Sequence, residues 1–257
     1  MAAPPAFDWI EPTGSDKHSW HRYGAFYRRH FAALGNVRAV LEFGVLHGAS
    51  IAWLRRLFPD AMIVGVDLMQ AQPDWPRGPR IFYLQADQGD RAGLARALDG
   101  LAGRFDLVIE DGSHFPPHQA ASLACAFPLL RPGGLYVLED LHTCLPDHPL
   151  SRAQAAPDAP NPLHMLLTIE RARAMGRDPA ATELAALAAP GLFTPEDVAM
   201  LAARIAAVEI FRRAVLPLRC WSCGSEMFDP VALRCACGVD VSPAAPDSMT
   251  AVLRAGP

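Results

Sequence analysis

Five short apolar runs, each with an acidic residue at or near its end, constrain the fold of this chain more than any other feature. The runs read VRAVLEF, AMIVGVDL, IFYLQAD, FDLVIED and LYVLED, and segments with helical spacing alternate with them. Strands that alternate with helices require crossover connections and a parallel sheet. The pattern therefore predicts an α/β fold built on a doubly wound, mostly parallel sheet.

Three parts are predicted along the 257 residues. An aromatic-rich helical cap covers residues 1–35, the α/β domain covers 36–219, and a Cys-rich appendage covers 220–257. Within the domain, a stretch rich in Pro, Asp and Ala and two Ala-rich helical patterns predict a lid or helical insertion over 146–206. The segment AAVEIFRRAVLPLRC predicts a late pair of strands before the tail.

Composition excludes several classes of protein. Half of the residues are hydrophobic (51%) and 19% are charged, which supports a sizeable core. The net charge of −4 disfavours a dedicated nucleic-acid partner. The sequence shows neither a signal-peptide pattern nor an apolar run of membrane-spanning length, so a cytoplasmic location without a membrane partner is expected.

The acids should meet at one edge of the sheet. The carboxyl ends of parallel strands lie together, and open α/β sheets bind their ligands there. Gathered like charges repel one another, so the pattern predicts a cation among them. The residues concerned are Glu42, Asp67, Asp87, Asp111, Glu139 and Asp140.

The turn EFGVLHGAS predicts a binding loop after the first strand. Gly44 and Gly48 would let the backbone approach a ligand closely. Its E-x-G-x-x-x-G spacing differs from the dinucleotide and P-loop fingerprints, which disfavours an NAD(P)-dependent oxidoreductase. Asp67 could accept the two hydroxyls of a ribose, and Asp87 with Gln88 could bond an adenine edge.

Several motifs resemble known enzymes. LEFGVLHGAS, IVGVDL, LQADQGD and LLRPGGLYVLED resemble class I S-adenosylmethionine-dependent methyltransferases, which have a Rossmann-like fold. GSDKHSWHRY, ADQGD, EDGSH and RPGGLYVLEDLHT resemble the metal-dependent sugar O-methyltransferases of macrolide and related antibiotic pathways. The resemblance covers roughly residues 14–145.

The resemblance implies a site. A hydroxyl on a sugar or glycosylated small molecule would be the acceptor, held by Mg²⁺ or Mn²⁺ while His114 removes its proton as general base. Residues 16–18 would help to close the site, and residues 144–154 would shape the acceptor pocket. The implied metal ligands are Asp111, Glu139 and Asp140. The implied S-adenosylmethionine contacts are Glu42, Gly44, Gly48, Asp67, Asp87 and Gln88.

The tail carries a second candidate metal site, outside the resemblance. A Cys-x₂-Cys pair and a Cys-x-Cys pair are separated by eleven residues, formed by Cys220, Cys223, Cys235 and Cys237. Four thiolates suit a closed tetrahedral structural Zn²⁺ site. Free thiols or two disulfides are the alternative.

Two other functions stay open at this point. The same divalent site could serve a catechol-like acceptor, or the chain could be a non-catalytic binding module that works through its zinc tail. The identity of the acceptor and the oligomeric state, including a homo-oligomer, are also open.

Overall fold

A seven-stranded sheet organises the chain in the computed structural model, which describes residues 15–245 and 247–257. Residues 1–14 of the predicted cap lie outside the described residues. The strand order is β3-β2-β1-β4-β5-β9-β6, and β1 to β5 run parallel. The predicted doubly wound, mostly parallel sheet is confirmed. The sheet strands are β1 (Ala39–Phe43), β2 (Met62–Asp67), β3 (Ile81–Gln85), β4 (Phe105–Glu110), β5 (Leu130–Leu138), β6 (Ile205–Arg212) and β9 (Met249–Ala255).

Helices cover both faces of this sheet. A separate two-stranded hairpin follows β6 and precedes β9 in the sequence. The hairpin strands are β7 (Phe228–Asp229) and β8 (Arg234–Cys235). The described helices are α1 (Asp16–Ser19), α2 (Gly24–Phe31), α3 (Ala49–Leu57), α4 (Arg91–Ala97), α5 (Pro116–Ala126), α6 (Pro149–Arg152), α7 (Pro162–Ala174), α8 (Ala181–Ala185) and α9 (Pro195–Arg204). None of them is long and apolar enough to cross a membrane.

Burial on both faces explains why the strands are almost wholly apolar. Successive side chains of a strand point to opposite faces, so Leu41 and Phe43 enter one core while Val40 enters the other. Parallel sheets with helices on both sides have this pattern. The aromatic residues of α2 pack in the second core, as their helical spacing predicts.

The predicted late strand pair is wrong in one partner. β6 pairs antiparallel with β9. Although β9 belongs by sequence to the predicted tail 220–257, it lies in the sheet between β5 and β6. The segment MTAVLRA of β9 is almost wholly buried, which explains its apolar character. Residues 213–248, including the cysteines, therefore form an insertion between two neighbouring strands.

The segment predicted as a lid is a packed layer. Met165, Leu166 and Ile169 of α7 and Leu201 of α9 are fully buried in the core that includes Leu41. Asn161 caps α7, and its side chain accepts from the backbone N–H groups of Leu163 and His164. These helices owe their position to burial of apolar side chains against the sheet.

Candidate active site

The switch point of the sheet lies between β1 and β4, where the order of connection reverses. Ligands of doubly wound sheets bind in the crevice at such a point. The register pairs Phe43 with Glu110, and Glu110 with Leu138. The next residues along these three strands are Gly44, Asp111 and Glu139, so they emerge side by side.

The turn after β1 requires glycine. Gly44 has φ of +84°, and a Cβ there would lie 2.0 Å from the carbonyl oxygen of Asp111. Gly48 has φ of +74°, and a Cβ there would lie 2.2 Å from Cδ of Pro76. Only glycine adopts this backbone region without strain and permits such approaches. Asp67 anchors the turn, because its Oδ2 accepts from the N–H of Val45 at 2.8 Å.

An open cavity of about 1240 Å³ lies above this edge. Five of the six residues predicted to contact a cofactor line it, namely Gly44, Gly48, Asp67, Asp87 and Gln88. No residue of the segment 146–206, all of which the structure describes, lines it. Residues 144–154 do not line this cavity, whereas residues of the insertion between 218 and 226 do, so an acceptor contact by 144–154 stays a prediction.

Glu42 and Gln88, which are predicted to contact the cofactor, make hydrogen bonds within the protein. Glu42 is fully buried and accepts a hydrogen bond from the Ser50 hydroxyl, and burial raises the pKa of its carboxyl to about 7. The Gln88 amide donates to Glu110 and Ser122 at 2.6 Å each, and its oxygen accepts from the N–H of Ser113 at 3.0 Å. A direct cofactor contact by either side chain stays a prediction.

Three predicted site residues converge at the mouth of the crevice. One ligand atom each from Asp111, His114 and Asp140 lies within 4.8 Å of the others. Nδ1 of His114 lies 3.3 Å from Oδ2 of Asp140, and it is buried without a hydrogen bond among the described residues. The carboxylate oxygens of Asp111 and Asp140 are hard ligands of the kind that Mg²⁺ prefers, and the His114 imidazole lies beside them. The residues present therefore fit the predicted metal.

Two of these three residues, His114 and Asp140, have strained backbone conformations. His114 has φ of 58° and Asp140 has φ of 51°, in the left-handed region that non-glycine residues rarely adopt. Such conformations cost about 1–3 kcal/mol each and concentrate at functional sites, where the surrounding structure holds them. Both side chains are thus placed by the fold and not by local preference.

A lysine lies among the acids. The ammonium of Lys17 contacts the carboxylate of Asp111 and lies 2.9 Å from Oε1 of Glu139. Burial alone would lower the pKa of Lys17, but the carboxylates of Asp111, Glu139 and Glu42 outweigh burial and raise it well above its ordinary value. Lys17 therefore carries a positive charge inside the acidic cluster.

This ion pair bears on the predicted role of Glu139. The carboxyl of Glu139 is buried, and burial together with Asp111 raises its pKa well above the ordinary value. Its described partner is Lys17, and it is not part of the group formed by Asp111, His114 and Asp140. A metal-ligand role for Glu139 stays a prediction.

Sequence reasoning placed Lys17 in a segment that helps to close the site but not among the acids, and it missed Tyr23 as a contributor to the cluster. Lys17 stands at the start of the chain, and 94 positions separate it from Asp111. The Tyr23 hydroxyl, attributed to packing by its helical spacing, donates to Oδ1 of Asp140 at 3.5 Å. The GSDKHSWHRY motif was the available signal, but it does not show which side chain turns inward.

The four tail cysteines also come together. Their sulfur atoms lie within 4.8 Å of one another, and all four are free thiols. Cys220 and Cys235 are buried, while Cys223 and Cys237 are exposed. Zinc binding stays a prediction at this point.

A protein-family model described as a methyltransferase domain matches residues 41–141, which contain the end of β1, all of β2 to β5 and the whole acidic edge. This part of the chain is therefore similar to a methyltransferase domain. The predicted resemblance is confirmed at the level of this domain.

Two O-methyltransferases of other organisms are similar to about half of the chain. The chain is 40% identical over 138 residues to the 8-demethyl-8-alpha-L-rhamnosyl tetracenomycin-C 2'-O-methyltransferase of Streptomyces olivaceus (51% of this chain, 36% of that protein). It is 40% identical over 135 residues to the mycinamicin VI 2''-O-methyltransferase of Micromonospora griseorubida (48% of this chain, 32% of that protein). The chain spans about a third of the length of these relatives.

A solved structure shares the fold of the methyltransferase domain. It is the MycE methyltransferase from the mycinamycin biosynthetic pathway in complex with Mg and SAH. The TM-score is 0.55 at 23% identity, over 91% of this chain and 49% of that one. At this identity the similarity establishes the fold alone.

Proposed function

We propose that the chain is a Mg²⁺-dependent O-methyltransferase that transfers the methyl group of S-adenosylmethionine to a hydroxyl of a sugar or glycosylated small molecule. One observation carries the proposal: Asp111, His114 and Asp140 converge at the switch point of the methyltransferase sheet. The cavity beside them is lined by the glycine turn and Asp67.

The cavity can hold two molecules. Small-molecule sites usually measure about 300–1,000 Å³, and this cavity of about 1240 Å³ exceeds that range. The turn at Gly44 and Gly48 would receive the cofactor, and Asp67 would accept its ribose hydroxyls through the carboxylate at the end of β2. The acceptor would then lie towards His114 and Asp140.

Asp111 and Asp140 would hold the divalent cation, with Mn²⁺ as an alternative to Mg²⁺. When bound there, the cation supplies Lewis-acid polarisation of the acceptor oxygen. Lys17 neutralises part of the negative charge on the Glu139 side of the cluster. This arrangement keeps the carboxylates together at the edge of the sheet.

His114 is proposed as the general base. The carboxylate of Asp140 faces Nδ1 of His114 at 3.3 Å and would hold the proton on that nitrogen, which leaves Nε2 free to accept the proton of the acceptor hydroxyl. The His114 side chain is 34% exposed, so a molecule in the cavity can reach it. The acceptor oxygen then attacks the sulfonium methyl, and the walls of the cavity supply the required alignment.

The named activities of the relatives support this acceptor class. Both relatives described above are O-methyltransferases, one named for a rhamnosyl tetracenomycin and the other for mycinamicin VI. Each name also specifies the position that is methylated. A sugar hydroxyl is therefore the first acceptor to test.

The test starts with calorimetric titration of S-adenosylhomocysteine, with NAD as the control ligand. Binding of S-adenosylhomocysteine alone supports the proposal, whereas binding of NAD alone overturns it. Methyl transfer to sugar-bearing acceptors is then measured with Mg²⁺ for wild type, His114→Ala and the matched control His164→Ala, an exposed histidine outside the cavity.

Loss of the base predicts a specific kinetic pattern. His114→Ala should lower kcat by about 10²–10⁴-fold while leaving the affinity for S-adenosylhomocysteine unchanged. His164→Ala should resemble wild type. A His114→Ala variant with wild-type kcat would remove His114 from the proposed chemistry without affecting the cofactor assignment.

A further inference from the structure

The insertion 213–248 has too little apolar core to hold its own fold. Among its described residues, Cys220, Cys235, Val241 and Ala245 are the buried apolar ones, and the first three pack with Trp20 of the N-terminal segment. Trp221, Met227 and Val231 are large apolar side chains that stay exposed. Segments of this size usually need a metal or disulfides to be stable.

The two cysteine pairs form matching turns. The N–H of Cys220 donates to the Ser225 carbonyl at 2.8 Å, and the N–H of Cys235 donates to the Val239 carbonyl at 2.9 Å. Each pair is followed at once by a left-handed glycine, Gly224 with φ of 71° and Gly238 with φ of 94°. In both pairs the N–H of the first cysteine thus donates to the carbonyl of the second residue after the second cysteine, although the turn of the Cys-x-Cys pair is one residue shorter.

The sulfur positions match a tetrahedral ion. Sγ of Cys220 lies 3.7 Å from Sγ of Cys237, and Sγ of Cys223 lies 3.4 Å from Sγ of Cys235. A regular tetrahedron with Zn–S distances of about 2.3 Å has sulfur–sulfur edges of about 3.8 Å.

The insertion is docked on the segment that carries Lys17. The N–H groups of Leu218 and Arg219 both donate to the Ser19 carbonyl, at 2.7 and 3.2 Å. The rings of Trp20 and Trp221 meet edge to face with centroids 6.5 Å apart. Ser19 and Trp20 follow Lys17 by two and three positions, so the insertion fixes the backbone that directs Lys17 into the acidic cluster.

A buried arginine secures the base of the insertion. Arg213 is 1% exposed, and its guanidinium lies 4.9 Å from the Trp20 ring centroid. It pairs with Asp247 at 2.8 Å and donates to the carbonyl of Val215 at the same distance. The same insertion lines the cavity with Leu218, Arg219, Cys220, Trp221, Gly224 and Glu226.

We propose that Cys220, Cys223, Cys235 and Cys237 bind one structural Zn²⁺ ion, and that this ion holds the insertion both as a wall of the cavity and as the support of the Lys17 segment. The site has four protein ligands and no open position, so its role is structural. The proposal goes beyond the methyl-transfer function and does not depend on it.

The test combines metal analysis with hydrogen exchange on the full chain. Wild type, the double variant Cys223→Ser/Cys237→Ser and the matched control Cys125→Ser are analysed for zinc by mass spectrometry. Cys223 and Cys237 are exposed, so their replacement leaves the buried core intact, and Cys125 lies on α5 outside the cluster. Titration with S-adenosylhomocysteine reports separately on the methyltransferase domain.

The expected result is one zinc ion per chain in wild type and Cys125→Ser, and none in the double variant. The amide hydrogen-exchange rate of residues 16–23 should be at least about tenfold higher in the double variant than in wild type. The exchange rate of residues 216–241 should rise by the same factor. Four free thiols or two disulfides in a zinc-free wild type would overturn the site. Zinc binding with unchanged exchange in residues 16–23 would overturn the coupling to Lys17.

Discussion

Replacement of Lys17 by Met tests whether a buried ion pair holds the acidic edge together. The Lys17 side chain is 8% exposed, and its partners Asp111 and Glu139 are 23% and 2% exposed. Met keeps most of the volume of the Lys stem but removes the ammonium. The variant therefore leaves two carboxylates without their described cation.

The size of the effect follows from the geometry. At the 2.9 Å separation from Glu139, the attraction is about 6 kcal/mol with an effective dielectric constant of about 20. Desolvation of both charges offsets much of this, and removal of one partner of a buried pair costs about 3–5 kcal/mol in measured cases. Because burial already raises the pKa of Glu139, this carboxyl can take up a proton and relieve part of the repulsion. We expect a loss near the lower end, about 3 kcal/mol.

Urea denaturation at neutral pH, without added Mg²⁺ or Mn²⁺, measures this loss. The corresponding fall in Tm is about 6–12 °C for a chain of this size. The matched control is Arg29→Met, which breaks the exposed pair with Glu209, whose side chains are 63% and 54% exposed. An exposed pair contributes less than about 1 kcal/mol. If Lys17→Met and Arg29→Met cost the same, Lys17 does not stabilise the acidic edge and the reasoning is refuted.

Two further predictions concern the turn after β1 and the carboxyl beside it. Gly44→Ala should cost about 3 kcal/mol or more, because a left-handed alanine is strained and its Cβ would meet the Asp111 carbonyl oxygen at 2.0 Å. It should also abolish S-adenosylhomocysteine binding measured by calorimetry. Glu42→Gln should gain stability relative to wild type between about pH 5 and pH 8, by up to about 3 kcal/mol, because burial raises the pKa of Glu42 to about 7. Urea denaturation at both pH values measures this difference.

The predictions for Gly44→Ala and Glu42→Gln each have a control. Gly100 has a similar φ of +73° but no atom within 4 Å of an added Cβ, so Gly100→Ala should cost only about 1–2 kcal/mol. Equal losses at the two glycines would contradict the close contact with Asp111. For Glu42, the native state binds the proton more tightly than the unfolded chain, so wild-type stability falls as pH rises from about 4.5 to about 7. A pH-independent difference between wild type and Glu42→Gln would contradict the raised pKa.

The methyltransferase half of the fold could be predicted from the sequence because its signals are local. Each of the strands β1 to β5 was recognisable from a short apolar run, and parallel pairing followed from the helical segments that alternate with these runs. The gathering of Asp111 and Asp140 at one edge also followed, because all parallel strands present their carboxyl ends together.

The C-terminal part could not be predicted in this way, because it depends on contacts between distant segments. β9 pairs with β6 across an insertion that contains the whole cysteine cluster, so no local window links the two strands. The segment 146–206 was predicted to be a lid or helical insertion because it contains a stretch rich in Pro, Asp and Ala and two Ala-rich helical patterns. Burial of Met165 and Leu166 against the sheet makes them part of the core instead.

Local sequence patterns were enough to predict the parallel part of the sheet, the glycine turn, the acids at the strand ends and the two sets of metal-ligating residue types. The pairing of Lys17 with Asp111 and Glu139, and the lining of the cavity by the cysteine insertion and not by residues 144–154, depend on the tertiary structure. The physical reason is that local backbone preference and hydrophobic spacing act over a few residues. A buried charge, in contrast, is placed by whichever distant partner can neutralise it.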